Sequence, residues 1–195
     1  MKQICIVVIC MLWVFCIKAE QNVYGSCVLF DGEQHKEGKG FALPRGISKY
    51  EVSGIKPFEG EKHLFFDLRF EQGWTGCGWN WASWDYLSKK IVDIKNFKTL
   101  ELYISVSPCS INDITFQLTS KNISGEPDFF GRKVSIFPMI KKRDKYTHIS
   151  IPIDKLEGFS LDSEKVWGFN IGVFAGKSSS AGNCRIYIDN IELIP

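Results

Sequence analysis

The chain has 195 residues, of which 45% are hydrophobic and 24% are charged. Its 17 glycines and 7 prolines are close to the average for folded proteins, which excludes disorder, collagen-like repeats and low-complexity sequence. The 24 Lys and Arg residues nearly balance the 22 Asp and Glu residues, so the basic excess typical of nucleic-acid-binding proteins is absent. The length is suitable for one domain with a full core.

The first residues have the features of a secretory signal peptide. Lys2 precedes an unbroken apolar run, Ile4–Ile17, and Ala19 ends the segment. The run is shorter than the roughly 20 residues that a membrane-spanning helix needs, so we expect no membrane span. The sequence therefore predicts a signal peptide at 1–19, a single domain at 20–195 and a secreted protein.

Four cysteines remain in the predicted mature chain: Cys27, Cys77, Cys109 and Cys184. An even number of cysteines in an exported protein predicts two disulfides, and the sequence does not specify their pairing. A zinc site is the alternative. The wide spacing of the cysteines and the lack of a C-x-x-C pair make zinc the weaker interpretation.

Runs of alternating, β-branched or aromatic residues recur along the chain, separated by Gly, Pro, Asn, Asp and Ser. This pattern is typical of an all-β sandwich or barrel. In chain order the predicted strands are Ser26–Asp31, Lys39–Leu43, Lys62–Phe70, Gly76–Trp81, Thr99–Ser107, Asp113–Ser120, Arg132–Phe137, Thr147–Ile153, Val166–Phe174 and Cys184–Leu193. We therefore predict an all-β, two-sheet antiparallel β-sandwich.

The alternation is clearest in Leu100–Val106, where every second residue is aliphatic. It recurs in Ile186–Ile191, where Asn190 is expected on the same face as two isoleucines. Only two short segments suggest a helix, namely Ser88–Phe97 and the turn at Ile153–Leu156.

One short segment contains most of the tryptophans. It supplies the candidate site residues Trp74, Trp79, Asn80, Trp81, Trp84, Asp85 and Tyr86. Sugar rings present a face of C–H groups that stacks on an aromatic plane, and their hydroxyls need nearby donors and acceptors. Tryptophans beside Asn and Asp are therefore typical of a glycan-binding site.

Some of these tryptophans are expected to be core residues instead, because the interior of a β-sandwich readily accommodates indole rings. In an extended strand Cys77, Trp79 and Trp81 share one face. If that face is inward, Trp74, Trp84 and Tyr86 near the loops are the better candidates for sugar contacts.

Several segments carry a resemblance to a known family. They are a Phe-Asp-Gly after the first strand, Glu61–Phe70, Gly76–Trp81, Leu100–Ser105, His148–Asp154, Val166–Ile171 and the closing Ile186–Leu193. This order resembles the galactose-binding-like jelly-roll domains. That group includes many carbohydrate-binding modules that accompany polysaccharide-degrading enzymes.

The resemblance implies a jelly roll that binds a polysaccharide or glycan on its concave face or loop edge, with a polysaccharide-degrading enzyme as a further partner. It also implies a structural calcium between the first and last strands. By position, the ligands of that calcium would be Asp31 and Asp189, with Glu33 as a further candidate.

Catalysis has little support in the sequence. No pair of carboxylates is singled out for acid–base hydrolysis, and the G-x-S-x-G and phosphate-loop patterns are absent. We therefore predict a secreted, non-catalytic carbohydrate-binding domain. Two alternatives stay open: a small glycan hydrolase or lyase on the same fold, and a structural or adhesive domain without a sugar site.

Overall fold

The structure is a computed structural model that describes residues 25–35, 37–70, 73–84, 90–121, 129–158, 160–175 and 183–195. The predicted signal peptide at 1–19 lies outside the described residues, as do Asp85 and Tyr86. Within the described part of the chain, no helix is both long enough and apolar enough to cross a membrane.

Two antiparallel sheets make up the fold. The strands are β1 (Cys27–Phe30), β2 (Lys39–Leu43), β3 (Lys49–Ser53), β4 (His63–Arg69), β5 (Trp74–Asn80), β6 (Thr99–Val106), β7 (Ile111–Ser120), β8 (Phe129–Phe130), β9 (Val134–Ser135), β10 (Thr147–Pro152), β11 (Val166–Ala175) and β12 (Asn183–Ile194). The first sheet has the order β10-β6-β12-β4-β3, with β1 paired to β12. The second sheet has the order β2-β5-β11-β7-β8, with β9 paired to β7. The predicted antiparallel β-sandwich is confirmed.

Alternating side chains of the long strands fill the space between the sheets. The aliphatic residues of Leu100–Val106 at even positions are all fully buried, as the sequence predicts. On the facing sheet, Phe169, Ile171 and Val173 of β11 point into the same core. Each such side chain contributes roughly 1.5–3 kcal/mol when it leaves water, so these strands fix which face of each sheet is inward.

The predicted alternation of β12 is wrong at its end. The register of β12 against β6 shifts between Asp189 and Glu192, and Asn190 has a φ of 44°. Ile191 is fully buried, whereas Asn190 is partly exposed. A β-bulge adds one residue to a strand and reverses the faces beyond it, which places Ile191 in the core instead of Asn190.

The helix predicted at Ser88–Phe97 is also wrong for its described part, 90–97. There the chain forms a β-bridge and turns, and Val92 exchanges backbone hydrogen bonds with Val166 at 2.8 and 3.1 Å. Ile94 is nearly fully buried. Docking this segment against β11 satisfies its backbone groups without a helix.

Two further differences and one confirmation concern short elements. The strand β3 was not predicted, because its first three residues are exposed and only two of its five residues, Tyr50 and Val52, are apolar. The predicted strand Arg132–Phe137 contracts to β9, and a 3₁₀ turn follows at Phe137–Met139, where Pro138 favours a helical start. The predicted turn at Ile153–Leu156 is confirmed as the short helix α1.

Candidate functional site

The outer face of the second sheet has a floor made of glycines. Gly76 and Gly78 occupy outer positions of β5, and Gly168 and Gly172 occupy outer positions of β11. The register sets Gly76 opposite Gly172, and Gly78 opposite Asn170. Because these glycines have no side chains, the centre of this face lies low, and we call the four of them the glycine floor.

Two exposed aromatic rings lie against this floor. A β-carbon added at Gly76 would stand 3.0 Å from Cζ3 of Trp74, and one added at Gly172 would stand 3.2 Å from Cε2 of Phe174. Trp74 and Phe174 are register partners on β5 and β11, so their rings are neighbours on the same face. The two residues are 47% and 36% exposed. They form an open aromatic platform at one end of the floor.

Further aromatic side chains lie towards the opposite end of the floor. A β-carbon added at Gly78 would stand 2.5 Å from Cε1 of Phe41 and 2.8 Å from Oδ1 of Asn170. The ring of Phe41 lies 6.4 Å from the indole of Trp84, which is 38% exposed. Trp84 in turn packs edge-on against the buried Trp167 at 5.7 Å. Phe41 and Trp84 thus extend the aromatic surface beyond the first platform.

The turn after β5 is held by Asn80. Its Oδ1 accepts the backbone N–H of Ala82 at 2.9 Å and that of Trp84 at 3.4 Å. Asn80 itself is buried, and Trp84 has a φ of 62°. Side-chain caps of this kind are a common use of Asn in turns, so Asn80 positions Trp84.

Polar side chains from the neighbouring strands complete a cleft of about 360 Å³ above Gly76 and Gly172 of the glycine floor. Thr115 and Gln117 come from β7, Asn170 from β11, and Lys133 from the segment before β9. Gln117 donates its amide N–H to the carbonyl of Gly131 at 2.7 Å, which fixes the orientation of the side chain. The cleft therefore combines aromatic rings with amide, hydroxyl and ammonium groups.

The structure separates the predicted site residues into three groups. Trp74 lines the cleft and Trp84 lies beyond Phe41 at the other end of the same face. Trp79 and Trp81 are only 3% and 4% exposed and belong to the core. Asn80 is buried beside them. Asp85 and Tyr86 lie outside the described residues.

The burial of Trp79 agrees with the alternative that its strand face is inward. Its ring packs edge-on against Phe30 at 6.0 Å and against Tyr50 at 6.4 Å. Trp81 follows β5 and donates its backbone N–H to the carbonyl of Trp167 at 3.0 Å. Because a sugar cannot reach rings enclosed in this way, Trp79 and Trp81 are not part of the candidate site.

Sequence reasoning missed Phe41, Phe174 and Asn170. The signal that could have revealed two of them lies in the segment Gly168–Phe174, where glycine, asparagine and phenylalanine alternate with buried apolar residues. The other half of the signal is that Trp74 lies at every-second-residue spacing from Gly76 and Gly78, on the same face of β5. Joining the two halves requires the β5–β11 register, which the sequence does not specify.

The carboxylates proposed as calcium ligands already accept hydrogen bonds from backbone N–H groups. Asp189 is fully buried, and its oxygens accept the N–H groups of Phe58 at 3.0 Å, Glu59 at 3.3 Å and Asn190 at 2.9 Å. Burial raises the pKa of Asp189, and these three N–H groups act in the opposite direction.

Asp31 makes similar local bonds, accepting the N–H groups of Glu33 and His35 at 2.9 Å each. Its second oxygen lies 3.0 Å from Nδ1 of His35. The part of the chain that the structure describes contains no group of three or more His, Cys, Asp or Glu side chains arranged to hold a metal. The residues therefore do not present a ready calcium site, and the calcium stays a prediction.

Comparisons with known proteins identify the fold. No family model and no curated protein matches the chain. Among solved structures, a family 11 carbohydrate-binding module from Clostridium thermocellum, in complex with a β-1,3-1,4-mixed-linked tetrasaccharide, is 17% identical with a TM-score of 0.58, covering 87% of this chain and 95% of that one. The family 30 module of the C. thermocellum cellulosomal cellulase Cel9D-Cel44B is 14% identical with a TM-score of 0.63, covering 87% and 96%.

The fold is the jelly roll of these carbohydrate-binding modules. The same jelly roll also occurs within larger enzymes. A β-1,2-glucanase from Parabacteroides distasonis is 15% identical with a TM-score of 0.56 over 86% of this chain, but only 25% of the glucanase is covered. The predicted resemblance in fold is confirmed, and the fold by itself assigns no function to the cleft.

Proposed function

We propose that this chain is a carbohydrate-binding domain that holds a glycan in the cleft above the glycine floor. The observation that carries the proposal is the platform of Trp74 and Phe174, two adjoining exposed rings that lie against glycines. The C–H face of a pyranose packs on such rings, and the low floor lets the sugar approach the sheet closely.

The polar lining suits the rest of a sugar. Amide and hydroxyl groups of Asn170, Gln117 and Thr115 both donate and accept hydrogen bonds, which matches the dual character of sugar hydroxyls. Ligand sites are in general largely apolar with a few fixed polar groups, and this cleft has that composition. The aromatic platform would supply contact area, and the polar row would select among sugars.

Binding without hydrolysis is the form of activity that we propose. Canonical glycoside hydrolysis uses two carboxylates across the scissile bond. The described residues that line the cleft include neither Asp nor Glu. The two module families with similar folds support a binding role, and the β-1,3-1,4-mixed-linked tetrasaccharide bound by the family 11 module makes polysaccharides with these mixed linkages the first ligands to test.

The test is affinity electrophoresis in gels that contain soluble polysaccharides, with mixed-linked β-glucan included in a broad panel of plant, fungal, bacterial and animal glycans. The intact protein should be retarded by at least one of them. An aromatic contact adds roughly 0.5–1.5 kcal/mol beyond the area that it buries, so Trp74→Ala should weaken binding about tenfold or more.

Phe58→Ala is the matched control, because Phe58 is a similarly exposed aromatic residue that stacks on Tyr103 of the first sheet. It should be retarded like the unmodified protein. If no glycan retards the protein, or if Trp74→Ala binds as well as Phe58→Ala does, the cleft is not a glycan site. The structural or adhesive alternative would then take its place. Sugar products released from a retained polysaccharide would overturn the non-catalytic part.

We also propose that the protein is secreted and acts beside a polysaccharide-degrading enzyme, as the signal-like segment and the fold suggest. The secreted material should begin near Glu20, which N-terminal sequencing can determine. A product that retains residues 1–19 would overturn the predicted signal peptide and leave the cleft proposal standing.

A further inference from the structure

Two of the cysteines meet at the end of the first sheet. Cys109 lies in the turn between β6 and β7, and Cys184 is the second residue of β12. The pairing of β6 with β12 continues into this turn, where Ser107 donates its N–H to the carbonyl of Arg185 at 2.9 Å and its Oγ accepts the Arg185 N–H at 2.8 Å. Val106 pairs with Ile186 in the same register, so Cys109 comes to lie beside Cys184.

The two thiols differ in exposure and in acidity. Cys184 is fully buried, whereas Cys109 is partly exposed. The hydrogen bond from Cys184 lowers the pKa of Cys109 against the opposing effect of burial, with help from Arg143 and Ser107. The hydrogen bond to Cys109, together with burial, raises the pKa of Cys184. Cys109 is thus the thiol that becomes a thiolate within reach of solvent.

We propose that Cys109 and Cys184 form a redox-active pair that closes a disulfide between the β6–β7 turn and the start of β12. The oxidant is a small disulfide such as oxidised glutathione. The Cys109 thiolate attacks one sulfur of the oxidant, which forms a mixed disulfide and releases one thiolate. Cys184 then loses its proton and attacks the Cys109 sulfur, which releases the second thiolate. The protein pair is oxidised by two electrons, and the small disulfide is reduced to two thiols.

The other cysteines have different surroundings. Cys27 is opposite Leu193 on β12, and Leu193 is about 30 Å from Cys184 along an extended strand, which is far beyond disulfide reach. Cys77 is fully buried on the inner face of β5, and burial raises its pKa. The charge of a Cys77 thiolate would raise the pKa of Cys184 further, so a Cys77–Cys184 bond is the rival pairing. We therefore expect the Cys109–Cys184 disulfide alone, with Cys27 and Cys77 as thiols, instead of the two disulfides that the cysteine count predicts.

The test starts from the reduced full chain, which is incubated with oxidised glutathione, alkylated without reduction and digested with trypsin. Cleavage at Lys98 and Lys121 places Cys109 on a different peptide from Cys77 and Cys184, so each pairing has its own mass. The expected result is a linked Cys109–Cys184 peptide pair. A crosslink over this length of chain should also raise the melting temperature by roughly 5–15 °C.

Two variants assign the order of attack. In Cys184→Ala a glutathione adduct should persist on Cys109, whereas Cys109→Ala should acquire no adduct on the buried Cys184. Cys27→Ala is the matched control, and its Cys109–Cys184 bond should still form. Two thiols that both remain open to alkylation after oxidation of the unmodified protein would overturn the proposal. A Cys77–Cys184 linkage in the same digest would also overturn it. None of these results depends on glycan binding.

Discussion

Replacing His63 by phenylalanine should remove much of the acid sensitivity of the fold. His63 begins β4, is fully buried, and packs edge-on against Tyr187 at 5.3 Å. Neither ring nitrogen has a hydrogen-bond partner. Burial lowers the pKa of His63 from 6.5 to about 4. Phenylalanine keeps an aromatic ring of similar size at this position and cannot be protonated.

The sign and size of the effect follow from proton linkage. Between pH 6.5 and pH 4 the unfolded chain binds a proton at this site that the folded chain does not. The contribution of neutral His63 is therefore complete above pH 6.5 and is lost as the pH falls through 6.5 towards 4. A difference of this size in pKa corresponds to about 3 kcal/mol, or roughly 6–12 °C in melting temperature for a chain of this length.

The assay is urea unfolding of the unmodified protein and of His63→Phe at a series of pH values from 7.5 to about 4. The free energy of unfolding of His63→Phe should equal or exceed that of the unmodified protein at neutral pH, since two unpartnered buried nitrogens are removed. The difference in free energy of unfolding between His63→Phe and the unmodified protein should grow by about 3 kcal/mol as the pH falls. His148→Phe replaces an exposed histidine, and its free energy of unfolding should depend on pH as that of the unmodified protein does. Parallel curves for His63→Phe and the unmodified protein would refute the reasoning.

Two further predictions concern the cleft and the metal. Gly76→Val should push the Trp74 indole off the glycine floor and weaken glycan binding about tenfold or more with little loss of stability, since its β-carbon meets mainly a movable ring. Gly25→Val, in open space, is the control, and unchanged affinity of Gly76→Val would contradict the cleft. If Asp31 and Asp189 bind calcium, a chelator should lower the melting temperature of the protein. An unchanged melting curve would contradict the predicted calcium site.

The fold could be predicted from sequence where strands are long and half-buried. Leu100–Val106 carries the alternation of a strand with one inward face, and it indicates which of the side chains enter the core. The exposed edge strand β3 has only two apolar residues, Tyr50 and Val52, and few of its side chains pack against the core, so its sequence carries a weaker signal. The bulge at Asn190 was equally invisible, since it depends on how β12 meets its neighbours.

The site was predictable only in part. The density of tryptophans correctly directs attention to β5, and Trp74 at its first position does line the cleft. The density of tryptophans is misleading for Trp79, because its side chain lies on the inward face of β5 and is buried in the core. Phe174 reaches the cleft from a strand about a hundred residues further along the chain, so its partnership with Trp74 exists only through the β5–β11 register.

The position of a bound oligosaccharide is the measurement that tests the cleft most directly. A crystal structure of the protein with an oligosaccharide of the best-retained polysaccharide should show a sugar ring in van der Waals contact with Trp74 and Phe174, and hydroxyls within hydrogen-bond distance of Asn170 or Gln117. An oligosaccharide bound elsewhere, with the glycine floor left open to solvent, would contradict the proposed site.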